Sequence, residues 1–158
     1  MLTGTPINPY LESKIYKITC AGYPGIYIGS THDTLHNRFV HHTSHHRSWK
    51  RGKGNFMASY VLFERGPCTI ELLEKWPCQT RKEKLAREQH WLKIHRNVMV
   101  NISFDMRLLT PNEEFEFHDR CVWCECGVKL LPNQMDAHVL TLTHINTMRR
   151  AAERRNVL

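Results

Sequence analysis

The sequence predicts an α/β fold: a small three-stranded antiparallel sheet flanked by helices, followed by a separate small C-terminal module. Three observations carry that expectation. Two β-rich runs lie either side of a Gly/Pro turn, and a third such run follows two helical stretches. Near the end of the chain, Cys121, Cys124 and Cys126 crowd together ahead of His138 and His144.

Residues 13–20 (SKIYKITC) are β-formers in alternation, with Ile15, Lys17 and Thr19 opposed to Tyr16 and Ile18. The turn AGYPG contributes Gly22, Pro24 and Gly25, and a second strand, GIYIGST, occupies 25–31. Such a pair reads as a β-hairpin. Asp33 or Thr34 then caps a helix carrying Leu35, Arg38, Phe39 and His42. Residues 49–55 (WKRGKGN) form a basic, glycine-broken loop, and 56–63 a second helix with Met57, Tyr60 and Val61 among its apolar positions. The run 69–76 (TIELLEKW) supplies the third strand. Thr80 followed by Glu83 is a capping-box signature for a helix over 81–95, and VMVNI at 98–102 returns the chain to the core. From Ser103 to Asp119 the texture turns acidic and includes a proline. The expected boundaries are a domain over 13–102, a linker over 103–119, and a module over 120–158 that ends in the basic, helix-like MRRAAERRNVL.

The 158 residues carry 22 Lys+Arg against 15 Asp+Glu, a net charge of +7 before 11 histidines are considered. That balance points to a polyanionic partner, nucleic acid ahead of an anionic membrane surface. At 41% hydrophobic and 23% charged, the composition is that of a globular chain. No apolar run approaches the roughly 18–20 residues that cross a bilayer. Met1 to Tyr10 lack the charged-then-apolar pattern of a signal peptide, so neither a secreted nor a membrane protein is expected. Cys20, Cys68 and Cys78 are scattered, and crowded cysteines followed by paired histidines read as a metal site. The compartment expected is intracellular and reducing.

Across the hairpin, Lys14-Ile15-Tyr16 and Tyr27-Ile28-Gly29 resemble the signature of the GIY-YIG endonucleases, with Lys14 where the family usually has Gly. Arg38 and His42 on the next helix, Glu88 on a later one and Asn101 after it stand in the family's order, over residues 13–102. The resemblance implies a metal-dependent DNA endonuclease that hydrolyses phosphodiester bonds. It makes Tyr16 the general base on a metal-associated water, Glu88 the ligand of a single Mg²⁺ (or Mn²⁺), and Arg38 the stabiliser of charge on the phosphate. Tyr27 would assist, His42 would relay protons, and Asn101 would fix the site around Glu88.

The residue types support that chemistry on their own terms. Arg38 and His42 are four apart and share a helix face, and a guanidinium offers a phosphate two parallel donors. Glu88 falls within the apolar stripe of Leu85, Trp91 and Leu92, where a carboxylate needs a partner or a cation. Moving a tyrosine pKa from near 10 to near 7 takes roughly 4 kcal/mol, which Arg38 and a metal ion are expected to provide. With one carboxylate in view, a single metal is the natural expectation. No acidic side chain occurs between Asp33 and Glu64, an interval holding Arg38, Arg47, Lys50, Arg51, Lys53 and the histidines 36, 41, 42, 45 and 46. It reads as a surface that tracks a DNA backbone, with Trp49 placed to stack on a nucleotide.

In the C-terminal module, a two-Cys, two-His set fits tetrahedral zinc. Two ligand choices compete. Cys121 with Cys124 leaves thirteen residues before His138; Cys124 with Cys126 leaves eleven. Packing favours the second, because Gly127 then takes the turn while Leu130 and Met135 fill a small core, with Cys121 still a rival to Cys126. His138 and His144, five residues between them, are expected on or near one helix. So short a module buries little core, and Zn²⁺ binding worth on the order of 10–16 kcal/mol would supply its folding energy. Arg149, Arg150, Arg154 and Arg155 face only Glu153 in charge, so this zinc finger is expected to assist DNA binding. The partner expected is DNA, duplex or branched, with no membrane, and a homodimer would provide for double-strand cleavage. Two other classes fit the same residues: a catalytically inactive nucleic-acid-binding module, and a zinc-dependent protein-interaction factor.

Overall fold

The computed structural model describes residues 7–101, 116 and 120–155. The linker expected over 103–119 lies outside the described residues except at position 116, as do residue 102 and the last three positions of the C-terminal module.

Strand β1 (Lys14–Cys20) is the centre of a three-stranded antiparallel sheet, with β2 (Tyr23–Thr31) on one side and β3 (Cys68–Lys75) on the other. The hairpin turn is tighter than the sequence suggests. Ala21 and Gly22 alone join the strands, Gly22 at φ +76°, and Tyr23 and Pro24 already belong to β2. Proline is accommodated because Pro24 and Gly25 fall in a bulge, between the Thr19–Ile26 and Cys20–Tyr23 pairs, where the ladder asks nothing of its missing N–H.

Both faces of the sheet are covered. On one, Tyr16, Ile18 and Cys20 pack with Leu62 and Val100, joined by Leu35, Phe39 and Phe63. These last come from α1 (Leu35–Lys50) and α2 (Tyr60–Phe63). On the other, Ile15 and Ile28 pack with Leu92 and Met99, joined by Trp91, Trp76 and Leu73. Leu92 and Trp91 belong to α3 (Arg81–Ile94). The alternation of β1 therefore feeds two cores, one from each face.

Thr34 caps α1, its hydroxyl accepting from the Asn37 N–H at 3.1 Å. The helix runs on through Trp49 and Lys50, so the basic loop starts only at Arg51, with Gly52 and Gly54 at positive φ. The second helix is shorter than expected, starting at Tyr60 rather than at 56. Thr80 caps α3 by accepting from the Glu83 N–H, while the Glu83 carboxylate accepts from the Gln79 N–H at 2.9 Å. The stripe expected on α3 is only partly buried: Leu92 is enclosed, but Leu85 is exposed.

The outer edge of β2 is covered by the segment that follows α3. Ile26 N–H bonds the Val98 carbonyl (2.9 Å), and Val100 N–H bonds the Ile26 carbonyl (2.7 Å). Met99 and Ile26 thus form a parallel bridge.

The C-terminal module comprises a minimal hairpin, β4 (Val122–Trp123) and β5 (Lys129–Leu130), then α4 (Met135–His138) and α5 (Leu142–Arg155). His138 and His144 do not share a helix. His138 ends α4, and His144 lies in the first turn of α5, whose start Thr141 caps by accepting the His144 N–H. The five-residue gap is thus spent on a break in the helix. The module packs on the sheet domain through an Arg65–Asp136 ion pair, and Gln134 Nε2 donates to the Asn101 carbonyl at 2.7 Å. Among the described residues no helix is long and apolar enough to cross a membrane.

Candidate active site and metal centre

The Tyr16 hydroxyl is held between two groups of α1. Arg38 Nε donates to it at 2.8 Å, and His42 Nε2 lies 2.8 Å away. Arg38 can only donate, so the Tyr16 oxygen accepts there, and we assign the phenolic proton to the His42 Nε2 contact. The neutral imidazole then carries its own proton on Nδ1, which faces Ser59 Oγ at 3.0 Å. The i, i+4 spacing of Arg38 and His42 is what brings both to one hydroxyl.

Tyr27 lies on the same face of the sheet, its ring centroid 6.5 Å from that of Tyr16 and 5.3 Å from that of His42. Between the tyrosines sits Gly29, opposite Tyr16 in the ladder. A Cβ at Gly29 would collide with the Tyr16 hydroxyl and crowd the Tyr27 ring. Glycine here makes room for the close approach of a side chain; no unusual φ is involved.

Glu88 reaches the same end of β2 from the opposite face. Ser30 Oγ donates to its carboxylate at 2.5 Å. Among the described residues Glu88 makes no ion pair, and burial raises its pKa against the opposing pull of the Ser30 hydrogen bond, Lys84 and Arg38. Tyr27, Glu88 and Asn101 line one cleft of about 390 Å³, walled also by Phe56, Met57 and Thr141. Past the cover that 98–101 gives Ile26 and Ile28, β2 is the last strand of the sheet among the described residues, so groups from the two faces can meet there.

The electrostatics oppose ionisation of the resting tyrosines. Burial pushes Tyr16 up to about 12, with Arg38 pulling the other way. Tyr27 is pushed up further for the same first reason, with the neighbouring Tyr16 and Glu88 adding to it. Burial and then the Arg38 charge hold His42 down at about 3, so the ring is neutral. Burial works against the charge of Arg38, but Tyr16, Tyr27 and Glu88 around it outweigh that and raise its pKa. Arg38 by itself does not offset the burial of Tyr16; the sequence expectation joined it with a metal ion.

Among the described residues Asn101 makes no hydrogen bond to Glu88 or Ser30, though it lines the same cleft as Glu88. Its side-chain amide clamps the backbone of Ile28, accepting from the N–H at 2.9 Å and donating to the carbonyl at 2.7 Å. Trp49 is also placed differently from the sequence expectation. Its indole is half-buried against His46, Phe56 and Tyr60 rather than open for a nucleotide. The basic stretch divides likewise: His42 and His46 are buried, and His46 and Lys50 both bind Glu64. His36, His41, His45, Arg47, Arg51 and Lys53 remain exposed.

Several contributors had no motif to mark them. Ser30 and Ser59 hold Glu88 and His42 through hydroxyls that nothing in the sequence distinguishes. Lys84 was legible in principle, since it stands one helical turn before Glu88. Its half-buried ammonium, 5.6 Å over the Tyr10 ring, is held below its usual range by burial.

In the C-terminal module Cys124, Cys126, His138 and His144 converge, with all four ligand atoms within 4.8 Å of one another. Cys124 Sγ is 3.3 Å from His144 Nδ1, and Cys126 Sγ is 3.0 Å from His138 Nε2. A tetrahedral zinc site asks for ligand-to-ligand edges of about 3.5 Å, so the cluster could hold a zinc ion. Cys121 lies outside it. Gly127 takes the turn between Cys126 and β5 at φ +86°, and Leu130 is buried as the small core requires, although Met135 is only half-buried.

No protein-family model, curated protein or solved structure matches the chain.

Proposed function

We propose that the chain is a metal-dependent DNA endonuclease of the GIY-YIG type, hydrolysing phosphodiester bonds with Tyr16, Arg38 and Glu88 as its central groups. The observation that carries this reading is the Tyr16 hydroxyl held by Arg38 and His42 at 2.8 Å each, at the strand edge where Glu88 opens into a cleft.

The donor set fits a hard divalent cation. Glu88 is a half-buried carboxylate with no ion-pair partner among the described residues, facing a cleft with room for water and phosphate. Glu88 would hold Mg²⁺ or Mn²⁺, which when bound supplies positive charge that lowers the pKa of nearby hydroxyls and water. The chain's own groups do the rest. Tyr16 rests protonated beside His42 Nε2; with a cation on Glu88 lowering the phenol pKa it would release that proton to solvent and then, as general base, take one from the attacking water. Arg38 steadies the phenolate with Nε and has further N–H donors for a phosphate oxygen. Tyr27, on the cleft wall, positions the phosphate, and Asn101 keeps Tyr27 and Gly29 in place by clamping Ile28 between them. Exposed Arg47, Arg51 and Lys53, with Arg149, Arg150 and Arg154 on α5, supply the backbone-tracking charge. The partner is DNA, duplex or branched, met inside the cell, and a dimer would deliver cuts on both strands.

A second reading, a nucleic-acid-binding module without catalysis, is favoured by the complete burial of Tyr16. Supercoiled-plasmid nicking with Mg²⁺ or Mn²⁺ separates the two. Wild type should nick and Glu88→Ala should not, while both bind DNA. Absence of nicking by wild type on plasmid and on branched DNA would sink the enzymatic reading.

A further inference from the structure

Strand β2 carries Tyr27 and Gly29, and its outer edge is sealed by residues 98–101. After the backbone bonds of Ile26 to Val98 and Val100, the Asn101 side-chain amide stands in for the next peptide group and binds both the N–H and the carbonyl of Ile28. The Asn101 carbonyl is held in turn by Gln134 Nε2 at 2.7 Å, and Gln134 Oε1 accepts from the Leu131 N–H at 3.1 Å. Asn101 and Gln134 are 7% and 4% exposed, so these bonds are shielded from competing water.

Gln134 immediately precedes α4, the helix that carries Asp136 and the metal ligand His138. Asp136 pairs with Arg65, whose guanidinium lies 5.2 Å over the ring of Tyr23, at the start of β2. The segment 134–138 of the metal module is therefore linked to β2 at two places, through Asn101 and through Arg65. Two-residue strands give the module little core of its own, so a metal on His138 would add to the order that α4 gains from burying Ala137 and packing on α2.

We infer that filling of the Cys124–Cys126–His138–His144 site fixes β2 in place through Gln134 and Asn101, so that metal occupancy of the C-terminal module regulates the tyrosine site, with Gln134 as the positioning residue. The mechanical link stands on the contacts above. Its effect on cleavage rests on the nuclease reading.

The test is amide exchange by NMR on the full chain, Zn²⁺-loaded and after chelation. The Ile28 N–H bonds the Asn101 side chain, so its exchange reports the clamp directly. Chelation should speed Ile28 exchange about tenfold or more while the β1 amides keep their protection. Gln134→Met, still Zn²⁺-loaded, should do the same. Reciprocity requires the converse effect. Asn101→Ala, whose side chain touches no metal ligand, should weaken Zn²⁺ affinity on the order of fivefold in a chelator competition. Ile28 exchange indifferent to Zn²⁺, or loss of protection spread equally over β1, would overturn the inference. If Asn101→Ala does not fold, the wild-type exchange comparison decides alone. Neither readout involves cleavage, so a chain that never nicks but shows the coupling removes the nuclease reading and leaves this one standing.

Discussion

Gly29 stands opposite Tyr16 in the β1–β2 ladder, and the Tyr16 hydroxyl fills the space a Cβ at position 29 would occupy. That contact fixes the height of the hydroxyl above the sheet, and with it the reach to Arg38 Nε and His42 Nε2. Gly29→Ala must either tilt the phenol away from both partners or spread the strands. We expect a loss of about 1–3 kcal/mol in stability, read as a lower denaturation midpoint. Nicking should fall by more than the unfolded fraction explains. An unchanged midpoint would show that the phenol has room to move.

Tyr16→Phe keeps the ring in its core and removes one oxygen. Arg38 Nε and His42 Nε2 would each lose a buried partner, costing about 1–3 kcal/mol together. The nuclease reading further expects no nicking and unaltered DNA binding. Tyr27→Phe, by contrast, should retain more of the stability, because the Tyr27 hydroxyl interacts with Arg38 by charge and hydrogen bond, whereas that of Tyr16 has both Arg38 and the His42 imidazole as partners. Midpoints for the two variants, measured side by side, check the difference.

His42 gives the fold a pH dependence of definite sign. Burial holds it at about 3 in the folded chain, below the ordinary histidine value near 6.5. Between those values the unfolded chain binds a proton that the folded chain refuses. Stability is therefore full above pH 6.5 and falls as pH drops toward 3, by up to about 1.4 kcal/mol per unit. Glu88 runs the other way, because its raised pKa makes folded protein easier to protonate than unfolded. His42→Gln should flatten the slope between pH 7 and 5. Comparing wild type and variant at each pH cancels any contribution from the metal site.

The sheet was legible because alternation in 13–20 and 69–76 reports a real geometric period, and the Thr80–Glu83 pair marks a real cap. The turn was misjudged because Pro24 signals a turn by composition, yet an edge bulge tolerates it equally well. Arg38 and His42 could be paired from their spacing alone. What the sequence could not give is burial: the depth of Tyr16, the exposure of Leu85 and the inward-facing Trp49 depend on how helices from distant segments settle on the two faces. Nor could spacing show that Gln134 would meet Asn101, since that contact joins two units separated by the segment expected as a linker.

For the metal centre the two cysteine choices make opposite predictions. Cys126 Sγ lies within the ligand cluster and Cys121 does not. Zn²⁺ loading should reach one ion per chain in wild type and in Cys121→Ser, and should fail or weaken by orders of magnitude in Cys126→Ser. Chelation of wild type should melt α4 and α5 before the sheet domain, visible as partial loss of helical circular dichroism. A Cys121→Ser variant that loses its zinc would reinstate the alternative ligand set.

The basic surface should follow the exposure of its charges rather than their number. Lys50 is 3.1 Å from Glu64, which His46 also binds, so much of its charge is answered within the fold. Arg47, Arg51 and Lys53 are exposed and make no ion pair among the described residues. Each phosphate they neutralise releases a counterion, so the slope of log K against log salt should fall by roughly one per charge removed. Replacing Arg47, Arg51 and Lys53 together by Gln should therefore flatten the salt dependence of DNA binding markedly, whereas Lys50→Gln should change it by well under one unit. Equal slopes for Lys50→Gln and Arg51→Gln would mean that DNA draws Lys50 away from Glu64. In that case Glu64→Gln should tighten DNA binding, which the same titration would reveal.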